Sequence, residues 1–389
     1  MATEELSQSR FAARPREEDD RDGDSAARRP PRSHLPRVEF RLEERHHVRR
    51  LLSITLAIIA SWTVRLMPER LRRYLGVKGG DLSYRLSKSY RESVSDNLRQ
   101  VLGPDVSERE LQRAVREVFR TSGKNLADFL LVPHLSRIEI IRRVPLISGK
   151  WGYLDDALAS GRGVVIVTGH LGAFDFIGQA LHHRGYKLTS VTGRTTSRFL
   201  FDAVTFLRRS HDMELVEASP SGIRRVIRAL RKGEGAVFLT DRDFFQNGKP
   251  VHFFGRETTL SPGAVRIARD TGAWIVPIFG VRTRTGHGMI IEPPFLVEKT
   301  ADLEADVACG LTRIVSILER VIGSAPDQWV MFQRVWPEEP GVLAGADPDE
   351  PSAGVRREPA AADFARLPGA PPTDQQPTDR RETLPQSAP

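Results

Sequence analysis

The sequence predicts an α/β domain: a layered, mostly parallel sheet flanked by helices, preceded by a helical membrane-anchoring segment near the N-terminus. Three observations predict it. Six apolar runs of strand length lie between residues 164 and 291, segments of helical period separate most of them, and a short arginine-bracketed apolar helix precedes both. Continuous apolar strands alternating with helices are the pattern of a sheet covered on both faces.

The ends of the chain lack the means to fold. Residues 1–37 are rich in Arg, Asp, Glu, Pro and Ser, and residues 338–389 are dominated by Pro, Ala, Asp and Arg. Neither buries enough apolar surface to offset the entropy of ordering, so both are expected to be disordered tails. The first is too charged to act as a cleavable signal peptide. The folded part is divided into an anchor at 40–80 and an α/β domain with N-terminal helices at 81–337.

The anchor centres on "LLSITLAIIASWTV", residues 51–64. Fourteen residues make a helix of about 21 Å, short of a hydrocarbon core of about 30 Å. Arg49 and Arg50 precede it, and Arg65, Arg70, Arg72 and Arg73 follow. That favours a helix lying in, or shallowly inserted into, an anionic membrane surface. The net charge of +8 rests on 50 arginines and only 8 lysines. Arginine forks suit phosphate and carboxylate. Nucleic acid is not expected, since no zinc, homeodomain or RNA-recognition signature is present. The lone Cys309 excludes an internal disulfide and a cysteine metal site, and its aliphatic neighbours at helical spacing predict a core position.

From 82 to 160 the periodicity is helical. Leu111, Val115, Val118 and Phe119 share a face, and Ser107 with Glu110 forms a capping-box pattern, while Pro133 and Pro145 break the region. Strands are then expected at 164–168, 188–192, 214–217, 236–240, 274–279 and 289–291, with helices at 174–183, 198–210, 221–232 and 261–271, and a last helix at 303–322.

"TGHLGAFD" places His170 and Asp175 five apart after the first strand. Five of the ten histidines have an acid at that spacing, so position must choose among them. His170 alone follows a buried-looking strand and precedes an apolar helix, where open α/β sheets place their sites. Asp175, in the first turns of that helix, is expected to reach back to the imidazole. Gly169 and Gly172 would let a substrate approach the backbone. Asp241, Arg242 and Asp243 follow the strand "GAVFLT", and Arg194 follows "LTSVTG", so all four fall at the same edge. Arg194 and Arg242 are candidates for a phosphate or a pantetheine arm. Asp241 and Asp243 are two carboxylates without a third ligand, so no metal is expected.

An imidazole can take a proton from an alcohol at neutral pH, and a carboxylate on its other nitrogen fixes the tautomer. With no G-x-S-x-G elbow and Cys309 in a helix, a substrate hydroxyl attacking an activated acyl group is the natural reaction.

In order along the chain, "HLGAFD", "GR", "LTDRDF", "VHFFG", "SPGAVRIARDTGAWIVPIFG" and "APDQWVMFQRVW" resemble the bacterial lipid A late (lauroyl/myristoyl) acyltransferases, a family that includes the phosphatidylinositol mannoside acyltransferases. The similarity covers about residues 45–337. It implies a glycerolipid acyltransferase-like fold, His170 as general base with Asp175 as partner, and cleft roles for Arg194, Asp241 and Asp243. It also implies a membrane-bound glycolipid or lysolipid acceptor at the cytoplasmic face, an acyl-carrier-protein or coenzyme A thioester as donor, and no further cofactor. Ala173 and Phe174 stand where many lipid A members have Asn-Trp, and the Pro-Glu-Gly-Thr motif of glycerol-phosphate acyltransferases is absent. The first departure argues against copying an acceptor across, and the second disfavours a simple glycerol-3-phosphate acceptor. A lysophospholipid acyltransferase, and a non-catalytic basic membrane- or nucleic-acid-binding protein, are the alternatives.

Overall fold

The computed structural model describes residues 46–193, 198–244, 248–284 and 286–336. Both expected tails and Arg194 lie outside the described residues. Five helices come first: α1 (His46–Leu66), α2 (Glu69–Leu86), α3 (Lys88–Leu102), α4 (Glu108–Leu131) and α5 (Arg137–Arg142). Then follow β1 (Leu146–Ser148), α6 (Gly152–Ala159), β2 (Val164–Thr168), α7 (Phe174–His183), β3 (Leu188–Thr192), α8 (Arg198–Arg208), β4 (Glu214–Glu217), α9 (Pro220–Arg231) and β5 (Gly235–Leu239). A hairpin of β6 (Lys249–Phe253) and β7 (Arg256–Leu260) leads to α10 (Gly263–Thr271), β8 (Trp274–Arg282), β9 (His287–Ile291) and α11 (Leu303–Ser324).

The main sheet has the order β1-β9-β8-β2-β5-β3-β4. β2 pairs in parallel with β5 and β8, and β3 in parallel with β4 and β5, whereas β9 runs antiparallel to β8 and parallel to β1. All six expected strands are present, and the mostly parallel sheet flanked by helices stands. β1 escaped the reading because its three residues are largely exposed and carry no apolar run.

Because strand side chains alternate between faces, β2 feeds two cores at once. Val165 and Val167 pack with Ala264, Val265, Leu311 and Trp329 on one face. Val164 and Ile166 pack with Phe176, Ile177, Phe129 and Leu154 on the other. A third cluster joins α3 to α4 through Val94, Leu98, Leu111, Val115, Val118 and Phe119. α4 starts at the expected capping box: the Glu110 amide donates to Ser107 Oγ, and the Ser107 amide donates to Glu110 Oε2.

α1 splits its surface. Ser53, Ile54, Ala57 and Ser61 are buried, while Leu52, Leu56, Ile59, Trp62 and Leu66 are exposed. α2 likewise exposes Leu71, Tyr74, Leu75, Leu82 and Leu86. Among the described residues no helix is long and apolar enough to cross a membrane. Cys309, expected in the core, is exposed on α11. The helix buries Val307, Gly310 and Leu311 instead, so the aliphatic stripe lies beside the cysteine rather than on it.

Candidate active site

The parallel register of β2 and β5 pairs Thr168 with Leu239, so the residues just beyond each strand emerge side by side at the carboxyl edge of the sheet. His170 and Asp241 meet there. The imidazole Nδ1 lies 2.8 Å from Asp241 Oδ1, and the His170 amide donates to Asp241 Oδ2 at 2.7 Å. Trp329 Nε1 donates to the same Oδ2 at 2.9 Å. Asp241 is fully buried, while the His170 side chain keeps 20% of its surface exposed. Burial works to raise the Asp241 carboxyl. The charge of His170 and the hydrogen bonds from His170 and Trp329 outweigh it and hold the group below its ordinary value.

A carboxylate only accepts, so the proton between the two groups belongs to imidazole Nδ1, and Nε2 is the nitrogen that holds the lone pair whenever the ring is neutral. Gly169 makes the close approach possible: a Cβ there would stand 3.1 Å from Asp241 Oδ2. The segment after α11 closes the back of the site. The Val330 amide donates to the His170 carbonyl at 2.8 Å, Leu171 bridges to Trp329, and the edge of the Phe174 ring meets the imidazole at 5.2 Å.

The other expected site residues sit as follows. Asp175, expected against the imidazole, instead accepts from Arg208 Nε at 2.7 Å. The turn into α7 carries it away from His170, and Arg208 on α8 meets it there. Gly172, expected to leave room for substrate, is buried with φ 51°, and a Cβ on it would strike the Gly280 carbonyl at 2.6 Å. Its amide is taken by the Gln328 carbonyl and its carbonyl by Asn125. Its role is therefore close packing of the 170–172 turn on β8. Arg242 donates to Gln333 and lies over the Phe244 ring at 5.1 Å. Asp243 accepts from the Gly248 amide at 2.7 Å and from Thr259 Oγ1 at 3.2 Å, which ties the β5 exit to the hairpin. Among the described residues no group of three His, Cys, Asp or Glu side chains gathers to hold a metal ion.

The remaining His–acid spacings within the described residues have structural explanations. Glu139 caps α5 through Ser136. His252 faces Glu257 directly across the β6–β7 hairpin, the acid lying beyond the turn. Glu292 pairs with Arg320, and His287 opens β9 and is buried. Sequence reasoning gave Asp241 a place at the sheet edge but not the bond to His170, because adjacency of β2 and β5 follows from the strand order. It missed the part of Trp329 as well, whose indole is fully buried against the carboxylate.

A partly exposed imidazole held by a buried carboxylate at the rim of a parallel sheet is an arrangement that can supply a general base to an α/β enzyme. Residues 39–338 match the family model of the bacterial lipid A biosynthesis acyltransferases. The chain belongs to that family and is an acyltransferase. It is 28% identical over 295 residues to the phosphatidylinositol mannoside acyltransferase of Mycobacterium tuberculosis (strain CDC 1551 / Oshkosh), covering 72% of this chain and 87% of that protein. It is 25% identical to the lipid A biosynthesis acyltransferase of Haemophilus influenzae, covering 71% and 85%. With the lipid A biosynthesis palmitoleoyltransferase of Escherichia coli K12 it shares 23% identity, covering 79% and 97%.

Proposed function

We propose that the protein transfers a fatty acyl chain from a thioester of acyl carrier protein or coenzyme A to a hydroxyl of a lipid A-like or phosphatidylinositol mannoside-like glycolipid, with no other cofactor. His170 Nε2 takes the proton of the acceptor hydroxyl as its oxygen attacks the thioester carbonyl. The tetrahedral intermediate then expels the thiolate, which recovers that proton from the imidazolium. Asp241, bonded to Nδ1, keeps the tautomer and stabilises the positive ring between the two steps. It fills the role that the spacing assigned to Asp175.

The observation that carries this reading is the 2.8 Å imidazole–carboxylate bond with the imidazole left partly exposed. Arg242 beside the pair, and Arg194, are the proposed holders of the donor's phosphate or pantetheine arm. The exposed leucines of α1 and α2, flanked by Arg49, Arg50, Arg70 and Arg73, support docking of this end on a phospholipid surface at the cytoplasmic face of the membrane.

The test is His170→Ala with labelled acyl donor, carrier-protein and coenzyme A forms in parallel, and a membrane lipid extract. A loss of about 10²–10⁴-fold is expected of a removed general base. A folded variant with full activity would sink the assignment. Mass spectrometry of the labelled product separates a glycolipid acceptor from a lysophospholipid.

A further inference from the structure

A cavity of about 340 Å³ lies where the end of α1, the glycine-rich face of α2 and the middle of α4 come together. Val64, Leu75, Phe119, Leu130 and Phe332 give it apolar walls. Leu75 and Leu126 are exposed while Phe119 is buried, so it runs inward from the surface. Its size falls at the lower end of the range for small-molecule sites, about 300–1,000 Å³.

Glycines shape it. A Cβ on Gly80 would stand 2.4 Å from the Phe119 carbonyl, and one on Gly123 would stand 2.1 Å from the Gly76 carbonyl, so α2 and α4 touch backbone to backbone. At Gly79 a Cβ would meet nothing within 4 Å. The helices thus close tightly on one side of the space and leave it open on the other.

One charged side chain lines this apolar space. Arg72 is only 7% exposed, and its Nε is buried without a hydrogen-bond partner among the described residues. No acidic residue stands among the described residues that line the cavity. The neighbouring acid of α2, Asp81, is occupied by Arg116 and Arg120. A buried guanidinium N–H left without a partner is costly. A chain of methylenes that brings its own anion would supply both halves of what the space lacks.

We infer that this cavity binds an acyl chain ending in a carboxylate or phosphate, the chain lying along the apolar walls and the anionic head pairing with Arg72. None of its lining residues is among the partners of His170 or Asp241, and binding can be read without turnover. The inference therefore stands or falls apart from the acyl-transfer reading.

The experiment titrates the full chain with the fluorescent fatty acid cis-parinaric acid and, separately, with its uncharged methyl ester. The wild type is expected to hold the acid at least about tenfold more tightly, the scale of a hydrogen bond to a charged group. Arg72→Gln should abolish that preference and leave the ester unchanged, and Ala127→Phe, which fills the cavity, should weaken both probes by about tenfold. Displacement by oleate identifies a carboxylate head, and displacement by lysophosphatidic acid a phosphate head. Equal binding of acid and ester by the wild type, an acid preference that survives Arg72→Gln, or displacement by neither competitor would overturn the proposal.

Discussion

His170 and His287 both lie at the carboxyl edge of the same sheet, one just beyond β2 and the other opposite Arg282 at the end of β8, and each faces an aspartate, yet their settings differ. Asp241 is fully buried and directs three hydrogen bonds at the His170 turn and at Trp329, and the imidazole keeps an exposed edge. His287 is 6% exposed, stacks on Phe176 at 4.7 Å, and lies 3.5 Å from an Asp128 oxygen that already pairs with Arg282. Burial pushes His287 down to about 4, against the opposing pull of Asp128. A histidine becomes a base when its carboxylate is dedicated and its second nitrogen is open. It becomes a core residue when the carboxylate is shared and the ring is covered.

The sharpest way to break the comparison is Asp241→Asn. Both oxygens of the carboxylate accept, one from imidazole Nδ1 and one from the His170 amide and Trp329. An asparagine satisfies only half of this. With its amide nitrogen toward the backbone, donors face donors. With the nitrogen toward the ring, Nδ1 must accept, and the proton moves to Nε2, where the base is needed. The first orientation disrupts the turn that holds the ring and the second removes the base, so kcat should fall by about 10²–10⁴-fold, the scale of general-base loss. Binding of the acceptor lipid should change little. Wild-type activity in a folded Asp241→Asn protein would show that the pair is structural.

The layered α/β class, the six expected strands and the placement of a site beyond β2 were legible because apolar runs and periodicity are local signals. Which carboxylate meets His170 was not. Sequence spacing favours Asp175, five residues on, but the φ 51° turn at Gly172 and the start of α7 take it toward Arg208. Asp241 lies 71 residues away and arrives through strand pairing. Trp329 carries no such signal, since nothing local marks a tryptophan as the donor to a distant carboxylate. Cys309 misled for the converse reason, because aliphatic neighbours at helical spacing do not say on which side of the stripe a residue falls.

The second test acts on the other histidine. Its folded value near 4 lies below the ordinary 6.5, so between these pH values the unfolded chain binds a proton that the folded one refuses. Stability should therefore be fully present above pH 6.5 and fall as the pH drops toward 4, by about 3 kcal/mol from this group. His287→Gln should flatten that part of the curve in a series of denaturant titrations. An unchanged slope in His287→Gln would assign the acid sensitivity elsewhere.

The smallest effect is expected at Asp175. Its bond to Arg208 is only partly buried, with the two side chains 25% and 21% exposed, so solvent screens much of what the pair contributes. Arg208 also reaches Thr192 Oγ1 at 3.4 Å, so removing the charge of Asp175 leaves the end of β3 with a partner. Asp175→Asn should lower kcat by a few-fold, about 1 kcal/mol or less for a partly exposed ion pair. It should do so through the packing of α7 on α8 rather than through the proton. Comparing Asp175→Asn with Asp241→Asn under saturating donor and acceptor decides between the two carboxylates. If Asp175→Asn costs as much as Asp241→Asn, the imidazole exchanges partners during the reaction and the Arg208 pair is a resting arrangement. If the loss is confined to Asp241→Asn, the carboxylate that matters is the one delivered by the neighbouring strand.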